Sequence, residues 1–203
     1  MTISQIIENS IYFIALINPV SKVLFLASQK PAYTSEELYV VSVKSSIVAL
    51  SILIILTCVG DFLLVNLFHV EIYSLGVAGG IILFSIGLNA VKKEAFLDDF
   101  IDNTKRPSDI SVVPLAAPLI AGPGAMTAAI TFASINSIVI TVICITIAMA
   151  VNLLCMLLSY PINRSLEKLN ATGPIIRITG LIVTAVATQM IFSGCTSWLA
   201  TIT

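Results

Sequence analysis

The chain is 203 residues long, 58% hydrophobic and only 10% charged, where an ordinary soluble domain carries about 25% charge. A soluble fold of this size cannot hide so much apolar surface, and a lipid bilayer is the solvent that the composition fits. A net charge of −1 and a single histidine, His69, leave no basic footprint for nucleic acid and argue against zinc or histidine-based catalysis.

A membrane helix needs about 20 mostly apolar residues. Taken in chain order, the apolar runs predict an all-α, polytopic protein with spans at 3–27, 40–65, 71–91, 112–133, 138–161 and 174–195. The N-terminal run has no basic n-region and no small-residue cleavage site, so it is expected to be a retained first span and not a signal peptide. The stretch from Ile110 to Asn163 has no formal charge and is too long for one crossing. Its polar break at Ser134, Asn136 and Ser137 divides it into spans four and five. Cys58, Cys144, Cys155 and Cys195 are scattered through apolar runs and read as small buried hydrophobes, neither disulfide-forming nor metal-binding.

Six crossings put the loops after spans one, three and five on one face of the membrane. All ten Lys and Arg residues fall in or beside those loops. The positive-inside rule makes that face cytoplasmic and sends both termini outside. Glu8, Asp61, Glu71 and His69 belong to the opposite side. Asp61 marks the outer interface in one reading and serves a coupling ion in the other.

The two halves carry an internal repeat. Pro19 and Pro123, and likewise Gly76 and Gly180, keep one offset of 104 residues. Each half holds three spans, and an odd number reverses the second half, so the repeat is expected to be inverted about an axis in the membrane plane. The organisation is one integral membrane domain over 1–203, with repeat one at 1–92, a cytoplasmic linker at 93–109 and repeat two at 110–203.

Proline lacks an N–H and clashes with the carbonyl four residues back, so Pro19 frees the Ala15 carbonyl and Pro123 frees that of Leu119. The residue before each proline is pushed out of the helical region. Asn18-Pro19 therefore reads as an N-cap followed by a pre-set first helical residue, and Gly122-Pro123 does the same with backbone freedom. Spans one and four are thus broken. If span four begins near Val112, Pro123 lies about 16 Å into the membrane, near its middle.

Half-helix N-termini at that depth suit a carboxylate, and orphan carbonyls suit an ammonium group or a cation. Together they describe a site for a small zwitterion, formed by Asn18, Pro19, Gly122, Pro123, Gly124 and Thr127. Small residues such as Gly76, Gly79, Gly80, Ala121, Ala125 and Gly180 keep its surroundings narrow. Lys22, one turn past Pro19, either meets a substrate carboxylate or snorkels to the cytoplasm. Thr184, Thr188, Gln189 and Asn152 are expected to be interhelical hydrogen-bond partners.

The segment from Pro107 to Ala125, PSDISVVPLAAPLIAGPGA, resembles the signature of the MarC family of six-span integral membrane proteins. Asn18-Pro19 with Lys22, Gly60-Asp61, Gly79-Gly80, Arg177-Ile178-Thr179-Gly180-Leu181 and Gln189-Met190 are similar to its recurring positions. The chain departs from the family's usual residues at Ser21, Leu24 and Asp61, where Gly, Pro and Glu are common. The resemblance implies a bacterial or archaeal plasma-membrane protein related to LysE-type amino-acid exporters, with small neutral amino acids such as glycine and alanine as substrates.

The expected function is therefore secondary transport of such amino acids by alternating access, with Na+ or H+ as coupling ion and no cofactor. A passive channel is the competing class. The sequence has no Walker motif and no Ser-His or HExxH set in its spans, so neither direct ATP use nor an enzyme is expected.

Overall fold

The computed structural model describes residues 3–28, 33–62, 69–93 and 120–202. Every regular element among them is helical: α1 (Ile3–Ile17), α2 (Pro19–Ser28), α3 (Ser35–Asp61), α4 (Ile72–Lys93), α5 (Pro123–Ile135), α6 (Ile138–Leu157), α7 (Ser159–Lys168) and α8 (Thr172–Ile202). Five segments are long and apolar enough to cross a bilayer: Ile3–Ala27 (α1 with α2), Ser35–Gly60, Ile72–Lys92, Ile138–Leu157 and Thr172–Ile202. The shorter apolar helix α5 continues the predicted fourth span. The first part of that span, 112–119, and the linker from residue 94 onward lie outside the described residues.

The helix ends follow from local chemistry. Thr34 and Glu37 form a capping box: the Glu37 amide donates to Thr34 Oγ1 at 3.2 Å, and the Thr34 amide donates to Glu37 Oε2 at 2.8 Å. Two orphan amides are satisfied reciprocally, so α3 begins at Ser35 instead of the expected 40. Span five, expected to run to 161, ends at Leu157. Pro161 clashes with the carbonyl four residues back, which is that of Leu157. The polar helix α7 follows and closes with Asn170 at φ 50°. There the Asn170 amide donates to Glu167 O at 3.0 Å and the Ala171 amide to Leu166 O at 2.9 Å, the paired bonds of a Schellman cap.

Helices α4 and α8 lie against each other along most of their length. Their register is antiparallel: Gly194 sits beside Val77, Gly80 beside Ala187 and Gly87 beside Gly180. A Cβ on Gly87 would come within 2.8 Å of the Gly180 carbonyl, and one on Gly180 within 2.9 Å of the Gly87 carbonyl. These glycines let two backbones approach closely, which is how helices associate in lipid, where water does not drive them together. Around this pair, α1 packs on α6, α3 on α5 and α6, and α2 on α6 and α7. Ile47, Ile55, Ile81, Ile147, Leu181 and Phe192 stay exposed on the outside of the bundle, as a lipid-facing surface requires.

Two expectations are corrected. Cys58 and Cys195 lie on the exposed surface, and only Cys144 is fully buried. The hydroxyls of Thr184 and Thr188 do not reach across to other helices. They donate at 2.8 Å to the carbonyls of Gly180 and Thr184, four residues back in α8, because that acceptor is always within reach of a helical Thr. Asn152 likewise donates within α6, to Met156 Sδ at 3.2 Å, and Gln189 donates within α8, to Ser193 Oγ at 3.2 Å.

Candidate functional site at two helix breaks

The first break is built on Asn18, which holds a left-handed φ of 53°. That conformation differs from the extended one expected before a proline. Asn is among the few non-glycine residues that tolerate it. Its amide donates to Ile14 O at 2.8 Å, closing α1 with the left-handed C-cap bond. The same residue opens α2. Its Oδ1 accepts from the Ser21 amide at a long 3.4 Å, and its carbonyl accepts from Ser21 Oγ at 2.8 Å. Pro19 then occupies the first helical position, where a missing N–H costs nothing. Asn18 therefore terminates one half-helix and caps the next.

Lys22 completes this break. It is 3% exposed, and its ammonium turns back to donate to the Ile17 carbonyl and, at 3.2 Å, to Ser21 Oγ. It does not run out to the interface. A cation at the carbonyl end of α1 meets the negative end of the helix dipole, and both acceptors are neutral. The sequence reading noted Ser21 only as a departure from the family pattern; its place three residues after Asn18, where a capped helix has its third amide, is the signal for its role.

The second break has no comparable side chain. Gly122 is the N-cap of α5 with φ −73° and ψ 169°, and no side-chain hydrogen bond caps the helix. Its carbonyl accepts from the Met126 amide at 2.9 Å. Pro123 is again the first helical residue, and Gly124, Ala125 and Thr127 are buried. Gly124 packs on Leu83, where a Cβ would come within 2.8 Å of Leu83 Cδ2. Thr127 fills the space over Gly79, so a Cβ there would run into its hydroxyl. Helix α5 thus presents first-turn amides without intrahelical acceptors at a buried, uncharged spot.

The two breaks border one core. Leu16 and Ile17 from the first and Ile120, Ala121 and Ala125 from the second belong to a single buried cluster. Phe13 and Phe132, with ring centroids 5.4 Å apart, join α1 to α5. Among the described residues no hydrogen bond links one break to the other. Asp61 ends α3, and its side chain lies outside what is described. Among the described residues no group of three or more His, Cys, Asp or Glu side chains gathers in a way that could hold a metal ion.

A cavity of about 390 Å³ opens at the other end of α5, between α1, α4, α5 and α8. None of the seven predicted site residues lines it; Gly76, Thr131 and Glu71 do. It is not legible in sequence, since its walls come from four separate helices.

Comparison with known proteins agrees with this architecture. The model of the MarC family, described as integral membrane proteins, matches residues 3–199. A UPF0056 membrane protein of Pyrococcus horikoshii is 30% identical over 192 residues, covering 95% of this chain and 94% of its own. A UPF0056 membrane protein of Bacillus subtilis is 32% identical over 203 residues, covering 96% and 95%. One from Aquifex aeolicus is 30% identical over 188 residues, covering 89% and 87%. No solved structure matches the chain. With nearly its whole length matched and its helices apolar enough to cross a bilayer several times, this chain belongs to the MarC family of integral membrane proteins.

Proposed function

We propose that the protein is a secondary transporter of small neutral amino acids, of the glycine and alanine class, working by alternating access at the two helix breaks. The observation that carries this reading is the burial of both breaks, 104 residues apart in sequence, in one core, with the Lys22 ammonium held at the first. A substrate carboxylate is suited by Lys22 and by the amide-rich starts of α2 and α5. Its ammonium is suited by the Ala15 carbonyl, which Pro19 leaves without its intrahelical donor. The small side chains of Ala121, Gly124 and Ala125 favour a small substrate.

The same reading has six spans in two inverted three-helix repeats. The antiparallel α4–α8 pair supports it, since those helices would be the third spans of the two repeats. The packing of α1 on α6 also has its repeat counterpart in the packing of α5 on α3. In the cell membrane the basic loops face the cytoplasm and both termini lie outside, by the positive-inside rule. Transport is coupled to Na+ or H+, and the protein performs no catalysis.

Purified protein in liposomes is expected to move labelled glycine or alanine under an ion gradient, with saturation and counterflow that a passive channel lacks. Asn18→Leu is expected to abolish that flux while the protein still reaches the membrane. Absence of flux for every small neutral amino acid, or full flux in Asn18→Leu, defeats the proposal.

A further inference from the structure

The cavity between the outer parts of α1, α4, α5 and α8 is separate from both breaks. At about 390 Å³ it falls in the ~300–1,000 Å³ range of small-molecule sites. Gly76 and Gly194 both line it. A Cβ on Gly76 would meet only the Met190 carbonyl oxygen, at 4.0 Å, whereas one on Gly80 would meet Ile191 Cγ1 at 2.7 Å and one on Gly194 would meet Val77 Cγ2 at 2.6 Å. Helix packing thus demands glycine at 80 and 194 but not at 76. Gly76 lines the cavity, so a longer side chain there would occupy part of its volume.

The chemistry of the walls is one-sided. Tyr12 and Phe132 stack at 5.3 Å and form an aromatic wall. Glu71 is the one charged side chain among the described lining residues, and no Lys, Arg or His joins it there. Thr131 is also among the lining residues, with its Oγ1 shut off from solvent and without a hydrogen-bond partner. An apolar cavity with aromatic rings and one carboxylate fits a cation with an apolar body.

We propose that this cavity is a binding site for a small organic monocation, an ammonium group carried on an apolar or aromatic body. Glu71 and the Tyr12 and Phe132 rings favour the charge, and Gly76 leaves room for the body. A zwitterion is disfavoured, because its carboxylate has no cationic partner here and meets Glu71.

The test is equilibrium binding of tritiated phenylethylamine to the purified full chain in detergent, with phenylalanine as the zwitterionic comparison. Saturable binding of phenylethylamine is expected, at least about tenfold tighter than that of phenylalanine. Gly76→Leu, which fills the cavity, is expected to weaken it at least about tenfold. Glu71→Gln is expected to weaken it about threefold, the scale of a partly solvated charge. If Gly76→Leu does not fold, Gly76→Ala and Glu71→Gln carry the test, since neither adds a close contact. No saturable phenylethylamine binding overturns the proposal. So does equal affinity for phenylalanine, or affinity unchanged in a folded Gly76 or Glu71 variant. The readout is binding alone, so it does not depend on whether the breaks transport anything.

Discussion

The two breaks, 104 residues apart in sequence, solve the same backbone problem in opposite ways. At the first, side chains make the break: Asn18 adopts φ 53°, closes α1 and caps α2, while Lys22 donates to the buried Ile17 carbonyl. At the second, glycine stands where its conformational freedom is not used, because φ −73° with ψ 169° is open to any residue. The small residues after it instead let α5 sit tightly against α4, where a Cβ on Gly124 would come within 2.8 Å of Leu83 Cδ2. A proline fixes where a helix breaks; the residues beside it fix whether the break is polar and charged or narrow and neutral.

That contrast can be tested from its largest consequence downward. Lys22→Glu places a buried carboxylate against the carbonyl end of α1, a change of several kcal/mol. It is expected to abolish recovery of monodisperse protein in size-exclusion chromatography, and normal recovery would show that Lys22 does not hold the break. At the second break, Gly79→Ala forces a methyl into the Thr127 hydroxyl and is expected to cost about 1–3 kcal/mol, the scale of overpacking. Thermal unfolding in detergent reads this. Adding Thr127→Ala, which removes that hydroxyl, should restore much of the loss, and a double variant as unstable as the single one would place the strain elsewhere.

Smaller effects follow at the caps. Asn18→Leu puts a side chain with no local hydrogen bonds at positive φ and is expected to lose about 1–2 kcal/mol, whereas Asn18→Gly keeps the backbone and loses only a few tenths. Equal melting temperatures for these two variants would remove the left-handed cap from the account. Gly122→Ser is expected to do least, leaving melting unchanged or slightly raised, because an extended N-cap accepts Ser and gains a capping oxygen. A Gly122→Ser loss larger than that of Asn18→Leu would invert the comparison.

Much of this was legible in sequence for local reasons. The Thr34 to Glu37 capping box, the stop that Pro161 imposes on α6, and Asn170 as a left-handed cap each depend on residues within four positions of one another. The expected span bounds at 40 and 161 nonetheless pass over all three, because hydropathy averages over a whole span and blurs its ends. The breaks at Pro19 and Pro123 were found because proline acts on its own backbone. The fate of Lys22 was not legible: a long flexible stem one turn past a break can reach either the interface or the carbonyl it frees. The apolar spans and the places of the two helix starts at Pro19 and Pro123 thus came from the chain alone, as consequences of bilayer thickness and of proline's missing N–H. Tertiary structure decided which way Lys22 points, which glycines pack and which one leaves space. Those outcomes depend on atoms brought together from helices far apart in sequence, as where Gly79 meets Thr127 and where Gly76 faces a cavity instead of a neighbour.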